Sequence, residues 1–278
     1  MEENQHQTHA NGFPDLQADA RGRLFPSPVF GPVRSRRLGI SLGINLLPAD
    51  GKVCSFDCIY CECGYNDERR AHTRFPKRKD VRESLRAKLT EMAAADERPD
   101  VLTFAGNGEP TLHPDFLDIV RDTVALRDEL CPAARITVLC NAAEILKQDV
   151  FDALLLVDNN CLKLDTVSQD YIRLVDRPVS ARYDVNAIIR RMQEFKGHCI
   201  VQTLFLEGTH EGIDVSNTGD QFVGPWLEAL RQIRPQEVMV YTIDRQTPSP
   251  LLRKASHERL DSIAEQVRQA GFPCQVSY

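Results

Sequence analysis

Apolar, β-prone segments alternate with amphipathic helical segments in this 278-residue chain from about Leu38 to the end. Such alternation predicts parallel strands, because parallel neighbours in one sheet are joined by crossover helices. The predicted strands are Gly39–Leu46, Val101–Ala105, Ile136–Cys140, Cys161–Asp165, Ile200–Leu206 and Val238–Ile243. The predicted helices are Val81–Ala95, Asp115–Leu130, Gln148–Val157, Asp184–Phe195, Gln221–Ile233 and His257–Gln269. A short final strand at Cys274–Ser277 would continue the pattern.

This pattern fits two arrangements of one α/β domain, an open doubly wound sheet and an incomplete (β/α)6 TIM-like barrel of parallel strands. In either arrangement, functional residues lie at the carboxyl ends of the strands. We expect the domain to span residues 25–278. Residues 1–24 contain Asn, Gln and His with little periodicity and are predicted to be a flexible leader. Turns are predicted at Phe25–Pro28 and Gly31–Pro32.

Charge and hydropathy argue against several classes of protein. The formal net charge of −6 argues against non-specific coating of nucleic acid, although it leaves room for a local basic patch. No apolar run approaches the roughly 18 residues of a membrane helix, and the N-terminal residues contain no hydrophobic signal core. We therefore expect a cytoplasmic protein with no membrane partner. Its nine cysteines, without an export signal, favour metal binding or catalysis over a disulfide scaffold.

Three cysteines, Cys54, Cys58 and Cys61, form a C-x3-C-x2-C run in the loop after the first predicted strand. Thiolates suit iron–sulfur clusters, and the short spacing lets a single loop hold one side of a cluster. Three ligands leave one iron of a four-iron cluster open to a small molecule. The alternative is a structural zinc site with Cys63 as the fourth ligand. Zinc sites usually pair two C-x2-C units across a long spacer, and the sequence offers no second unit.

The run from Cys54 to Cys61, with Tyr60 at the aromatic position before the third cysteine, resembles the signature of the radical S-adenosylmethionine (SAM) superfamily. The resemblance extends from about Phe30 to the C-terminus. Three further segments are similar to a group described as wyosine-synthesis-like Fe–S oxidoreductases: Gly31–Gly39, Arg173–Pro178 and Tyr241–Pro248. The resemblance implies a [4Fe–4S] cluster on the three cysteines, SAM as a second cofactor with Tyr60 beside it, and the incomplete barrel as the fold.

A glycine-rich turn, Gly106-Asn107-Gly108-Glu109, follows the second predicted strand. Its glycines let the backbone approach a ligand and Glu109 offers an anion to an ammonium group, although an ordinary strand-to-helix turn explains the same residues equally well. Placed one strand after the cysteines, the turn is similar to the superfamily motif that holds the methionyl amino group of SAM. The resemblance therefore implies SAM-binding roles for these four residues. It places Asn141, at the end of the third strand, near SAM, although Asn141 also suits a helix cap.

The fourth predicted strand carries two charges in apolar surroundings. Leu162 and Leu164 share one face of this strand, so Lys163 and Asp165 on the other face are expected to point into the barrel. Buried charges are costly unless paired or used, so the two residues are either a structural ion pair or catalytic. The resemblance implies that they line the SAM ribose or the substrate, and we take them as the candidate catalytic residues. Two further candidates line the site from the next strands: Gln202 and Tyr241.

Basic residues flank the cysteine run on both sides. They are Arg34, Arg36 and Arg37 before it, and Arg69, Arg70, His72, Arg74, Lys77, Arg78 and Lys79 after it. Such a run is usually a solvated face, which the scarcity of stacking aromatics favours here, since Tyr65 and Phe75 are the nearest. Its position also suits the docking of an anionic substrate such as RNA.

The resemblance implies an enzyme that cleaves SAM reductively and takes a hydrogen atom from an unknown substrate, with RNA and peptide among the candidates. It also implies an external one-electron reductant of the flavodoxin or ferredoxin type. The wyosine-forming tRNA enzymes carry a second cluster on cysteines upstream of the signature, whereas no cysteine precedes Cys54 here. Two alternatives stay open: a glycyl-radical activating enzyme, and an iron–sulfur electron-transfer or sensing protein that never cleaves SAM.

Overall fold

Eleven strands make up the two sheets of the described part of the chain, which in this computed structural model is residues 24–35 and 39–278. They are β1 (Val29–Ser35), β2 (Gly39–Ile44), β3 (Val101–Phe104), β4 (Arg135–Cys140), β5 (Asn159–Lys163), β6 (Ile200–Leu204), β7 (Leu206–His210), β8 (Ile213–Asp214), β9 (Glu237–Tyr241), β10 (Leu252–Lys254) and β11 (Cys274–Ser277). The predicted leader, residues 1–24, lies outside the described residues except for Leu24, as do Arg36 and Arg37.

The helices alternate with these strands. They are α1 (Arg78–Ala94), α2 (Phe116–Leu130), α3 (Gln148–Leu155), α4 (Gln169–Tyr171), α5 (Val185–Glu194), α6 (Asp220–Ile233) and α7 (His257–Gln269). A 3₁₀ turn at Pro110–Leu112 follows β3, and a π-helix at Ile172–Asp176 continues directly from α4. Capping side chains fix some starts, since Ser256 accepts from the backbone N–H of Arg259 and Asp184 from that of Asn186.

The main sheet has the order β1-β2-β3-β4-β5-β6-β9-β11. Every neighbouring pair from β2 to β11 is parallel, and only the edge strand β1 is antiparallel to its neighbour. Six strands of this parallel series are each followed by a helix before the final strand β11. The predicted α/β fold, an incomplete (β/α)6 TIM-like barrel, is therefore confirmed.

The two faces of the strands belong to different apolar clusters, as an alternation of side chains with period two requires. Leu162 and Leu164 of the β5 region join the main core, which packs the strands against the helices. Cys161 belongs instead to a small cluster with Ile200 and Met239 on the opposite face. Lys163 and Asp165 follow Cys161 in this alternation, so both charged side chains lie on the inner side of the sheet.

Three features of the fold differ from the sequence predictions. Gly31–Pro32, predicted as a turn, lies within β1, because an edge strand accommodates proline and the pairing register shifts between Phe30 and Val33. The predicted strand Ile200–Leu206 divides after Leu204, and Leu206 begins β7 of a second, three-stranded sheet ordered β10-β7-β8. Strand β5 ends at Lys163, so Asp165 lies in the loop beyond it.

A third apolar cluster lies beyond the carboxyl ends of the barrel strands. Ile59 of the cysteine run packs there with Tyr171 and Val175 of the α4–π-helix segment and with Leu206 of β7. The second sheet and the π-helix thereby enclose the loop that carries the cysteines. Among the described residues, no helix is both long and apolar enough to cross a membrane.

Candidate active site

The cysteine loop, which we define as residues 52–66, pairs directly with the glycine-rich turn. The backbone N–H of Val53 donates to Asn107 O (2.9 Å), and the N–H of Glu109 donates to Val53 O (3.0 Å). A Cβ atom on Gly108, whose φ is +129°, would lie 2.0 Å from Val53 O. Only glycine fits at this position, and the close approach places the first cysteine beside the turn.

The other side of the cysteine loop is bound to the π-helix. The N–H of Ile59 donates to Val175 O (2.9 Å), and the N–H of Asp57 donates to Asp176 O (3.1 Å). One step further along, the N–H of Val179 donates to Ser55 O (2.9 Å). These backbone bonds fix the loop between two segments that are more than 60 residues apart in sequence.

The three predicted ligand cysteines are half-buried, whereas Cys63 is buried and its thiol donates to Gly106 O at 3.5 Å. Burial raises the pKa of Cys54 to about 12. It also raises the pKa of Cys58 well above its ordinary value. Hydrogen bonds from Cys63 and, to a smaller extent, the charge of Lys52 lower the pKa of Cys61 to about 6, against the opposing effect of burial. Metal binding requires thiolates, so Cys61 is the member of the set already prepared for it.

The donor set fits an iron–sulfur cluster better than a single metal ion. Among residues 24–35 and 39–278, no three Cys, His, Asp or Glu side chains converge closely enough to hold one ion. A cluster takes its thiolates at separate corners and needs no such convergence. The three half-buried cysteines lie in one loop, as such a cluster requires.

Glu109 and Asn141 connect the glycine-rich turn to the first cysteine. One carboxylate oxygen of Glu109 accepts from the backbone N–H of Asn141 (2.6 Å), and the other accepts from the Thr111 hydroxyl (2.6 Å). The Asn141 amide donates to Ser55 Oγ (2.9 Å) and its nitrogen lies 3.6 Å from the Cys54 sulfur. Glu109 is only 2% exposed, and burial raises its pKa, which makes it a strong acceptor for any cation that enters.

The side chain of Asn107 has a structural role. Both amide hydrogens are bonded, to Phe25 O (2.9 Å) and to Pro48 O (2.8 Å), while Oδ1 accepts from the N–H of Phe25 (2.7 Å). A Cβ atom on Gly106 would lie 2.4 Å from Asn45 Oδ1. Gly106 and Asn107 therefore pack the turn onto Phe25, Asn45 and Pro48, and they offer a ligand only their backbone groups.

A second group of polar side chains faces the cysteine loop from β5 and the π-helix. We call it the carboxylate cluster: Tyr60, Lys163, Asp165 and Asp176. Lys163 is ion-paired to Asp165 and lies 2.9 Å from Asp176 Oδ1. The Tyr60 hydroxyl accepts from Lys163, donates to Asp165, and lies 3.1 Å from Asp176 Oδ1. Asp165 also accepts from the N–H of Leu204 (2.9 Å).

The charges of the carboxylate cluster are buried and mutually dependent. Lys163 is 9% exposed, and although burial lowers its pKa, Asp165 and Asp176 outweigh burial and hold the pKa well above its ordinary value. Burial raises the pKa of Asp176 to about 6, which Lys163 opposes. The positive charge of Lys163 also acts on Cys58, so this cluster and the cysteines form one electrostatic unit.

Gln202 and Tyr241 lie on the strands next to this group. Gln202 is buried, pairs in register with Lys163, and its amide contacts Cys161 O at 3.4 Å. Tyr241 is half-buried and acts electrostatically on Lys163. Both predicted lining residues therefore belong to the same interior as Lys163.

Sequence reasoning did not select Asp176 and Lys52. Asp176 lies in the Arg173–Pro178 segment on which the resemblance partly rests, and its signal is an acidic residue at the end of a short helical segment. Lys52 stands two residues before Cys54 and is 4% exposed. A lysine beside a cysteine motif looks like a surface residue in sequence, so its burial had no readable signal.

The basic stretch after the cysteines divides in the structure. Arg69 is buried, and Arg78 forms ion pairs with Asp118 (2.9 Å) and Asp122 (2.7 Å) of α2. The exposed members are Arg70, His72, Arg74, Lys77 and Lys79. Two of the seven basic residues therefore serve the fold, and the other five face solvent.

A cysteine loop over a glycine-rich turn, at the carboxyl ends of a partial parallel barrel, defines the class of protein. A family model described as the radical SAM superfamily matches residues 50–214. The chain therefore belongs to the radical SAM superfamily, whose members are enzymes. The recognition made from the cysteine signature is confirmed.

Relatives of the chain include several UPF0026 proteins. UPF0026 protein slr1464 of Synechocystis sp. is 32% identical over 235 residues, which are 83% of this chain and 79% of that protein. UPF0026 protein MJ1312 of Methanocaldococcus jannaschii is 34% identical over 181 residues, 64% of this chain and 53% of that protein. A Brachyspira hyodysenteriae protein named GTPase Obg is 28% identical over 248 residues, 88% of this chain and 34% of that protein. The chain thus spans about half of MJ1312 and about a third of the protein named GTPase Obg.

Solved structures share the fold at low sequence identity. A radical SAM methyltransferase from Sphaerobacter thermophilus matches with a TM-score of 0.63 at 16% identity, over 86% of this chain and 66% of that one. Streptococcus suis SuiB bound to S-adenosylmethionine matches with a TM-score of 0.60 at 13% identity, over 84% and 50%. TYW1 with a lysine–pyruvate adduct bound matches with a TM-score of 0.58 at 14% identity, over 82% and 73%.

Proposed function

We propose that this chain holds a [4Fe–4S] cluster on Cys54, Cys58 and Cys61 and cleaves SAM reductively to remove a hydrogen atom from a substrate. Cys54, Cys58 and Cys61 would hold the cluster, which would supply the electron that cleaves a C–S bond of SAM and so yields the radical that takes the hydrogen atom. The observation that carries the proposal is the contact between motifs. Asn141 donates to Glu109 through its backbone and approaches the Cys54 sulfur to 3.6 Å through its side chain.

The residues of the turn suit an amino acid ligand. Glu109 presents a buried carboxylate, already oriented by Asn141 and Thr111, to an ammonium group. Gly108 lets the turn pack closely against Val53 and Cys54 of the cysteine loop. Because buried charge-assisted hydrogen bonds are stronger than neutral ones, Glu109 would both attract and orient the ligand. A simple electron carrier has no use for such a cradle.

The carboxylate cluster suits the reacting end of the site. Lys163 and Asp165, which we propose as catalytic residues, hold opposite charges in a buried interior, and Tyr60 connects them to the cysteine loop. Fixed groups of this kind can orient ribose or substrate hydroxyls without reorganisation during the reaction. An enclosed site also keeps a reactive radical away from other C–H bonds. Gln202 and Tyr241 would extend this lining.

The proposal requires a one-electron reductant of the flavodoxin or ferredoxin type and a substrate. RNA is the substrate class to test first, because exposed Arg70, Arg74 and Lys77 follow the cysteine loop, and peptide is the second. A reducing cytoplasm is the proposed location. All nine cysteines are free thiols, as expected where glutathione and thioredoxin keep them reduced.

The test is an assay for 5′-deoxyadenosine. Anaerobically reconstituted protein is mixed with dithionite and SAM, and product is quantified by chromatography and mass spectrometry. We expect product from the wild type and none from Cys61→Ala. A fully loaded wild-type cluster that yields no 5′-deoxyadenosine would contradict the proposal and favour an electron-transfer or sensing protein.

A further inference from the structure

Lys52 is a buried cation beneath the cysteine loop that the proposed reaction does not yet use. Only 1% of its side chain is exposed. Its Nζ donates to Gly64 O (2.7 Å), and the N–H of Gly64 donates in turn to Cys61 O (2.9 Å). Lysine is almost never fully buried without a partner, so the surroundings of this ammonium must supply negative charge.

Asp57 supplies part of that charge, at 3.6 Å from its Oδ1 to the Lys52 ammonium. The same oxygen accepts from the N–H of Asn66 (2.7 Å), and the other oxygen lies 3.4 Å from the Arg177 guanidinium. Asp57 is therefore divided between two cations and a backbone donor. It does not neutralise Lys52 by itself.

The geometry places this ammonium against the loop of the predicted ligands. Lys52 stands two residues before Cys54 in sequence, and its Nζ contacts Asp57, which lies between Cys54 and Cys58. It also contacts Gly64, which closes the loop after Cys61.

We propose that Lys52 is a positioning residue whose fixed charge raises the reduction potential of the cluster on Cys54, Cys58 and Cys61. The inference rests on the proposed function. Reduction adds one electron, delivered by the external flavodoxin- or ferredoxin-type donor, to a group that already carries three thiolates. A buried positive charge stabilises the reduced form more than the oxidised form, and net charge and hydrogen bonds to sulfur are known determinants of cluster potential.

The first test compares Lys52→Met with Lys52→Arg in full-length, anaerobically reconstituted protein. Iron content is measured first, and the midpoint potential is then followed by EPR-monitored redox titration. We expect Lys52→Met to lower the equilibrium constant for one-electron reduction about tenfold, a shift of about −59 mV. Lys52→Arg should restore most of the shift, and the exposed Lys79→Met should leave the potential unchanged.

A second variant keeps the inference testable when Lys52→Met cannot hold iron. Lys52→Gln keeps a side-chain N–H that can donate to Gly64 O but removes the charge. The potential should fall as in Lys52→Met, with iron retained. A role in loop closure alone predicts an unchanged potential in this variant.

The outcomes separate the two proposals. A wild-type protein that forms no four-iron cluster defeats the proposed function. A wild-type cluster whose potential is unchanged in Lys52→Met, or in Lys52→Gln when Lys52→Met loses iron, defeats only the role of Lys52.

Discussion

The two halves of the candidate site are assembled in different ways. The junction of the cysteine loop with the glycine-rich turn is made by backbone, through Val53, Asn107 and Glu109, and by a glycine that no larger residue can replace. The carboxylate cluster is made by side chains from three separate segments that meet at Lys163. The first half therefore depends on chain geometry, and the second depends on balanced charge.

The largest expected effect is the loss of the proposed iron–sulfur cluster from the cysteine loop. Cys54→Ala, Cys58→Ala and Cys61→Ala should each abolish the brown chromophore and the bound iron, since each removes one of three ligands. Cys63→Ala should keep both, because Cys63 only donates to Gly106 O and hydrogen-bonds Cys61. The measurement is the absorption spectrum with an iron assay. Equal iron loss in Cys63→Ala would show that four thiolates bind the metal.

The next effect tests the backbone junction without touching a ligand. Gly108→Ala forces a Cβ to 2.0 Å from Val53 O at a φ of +129° and should lower the free energy of unfolding by about 3 kcal/mol. Gly224→Ala in α6 is the matched control, because nothing lies within 4 Å of its added Cβ. It should be neutral or stabilise the helix by up to about 1 kcal/mol. Urea unfolding measures both, and equal stabilities would mean that the junction adapts.

This difference between the halves explains what the sequence could predict. The cysteine loop and the glycine-rich turn are contiguous sequence motifs, so their residue types and spacing were enough to predict their roles. The alternation of strands and helices predicted that both lie at the carboxyl ends of neighbouring strands. Lys163 and Asp165 were readable as inward charges on one strand face. The role of Asp176 was not predictable, because Asp176 lies in a π-helix and no periodic sequence pattern predicts a π-helix. The burial of Lys52 likewise depends on how Arg69 and Gly64 fold back over it.

A smaller effect concerns the binding of SAM. Glu109→Gln removes the negative charge and one acceptor for the Asn141 N–H, while iron content should remain unchanged. We expect SAM affinity to fall about tenfold, the equivalent of one charge-assisted hydrogen bond of about 1.4 kcal/mol. Equilibrium binding of SAM to the reconstituted protein measures it, with the exposed Glu91→Gln as control. An unchanged affinity would mean that Glu109 does not bind the amino group of SAM.

The smallest effect is a pH dependence that belongs to the carboxylate cluster. Burial raises the pKa of Asp176 from 3.8 to about 6, so the native protein binds this proton more tightly than the unfolded chain. The stability it contributes is complete below about pH 4 and is lost as the pH rises through about 6.

The Asp176→Asn side chain cannot titrate. As the pH rises from about 4 to about 7, the unfolding free energy of the variant should therefore increase relative to that of the wild type. Urea unfolding across this range measures the difference, and the exposed Asp170→Asn gives the baseline. A constant difference would mean that Asp176 stays ionised in the native state throughout. Lys163 would then face two ionised carboxylates over this pH range. The carboxylate cluster would carry a net negative charge next to Cys58, and this charge would lower the reduction potential of the iron–sulfur cluster, against the effect of Lys52.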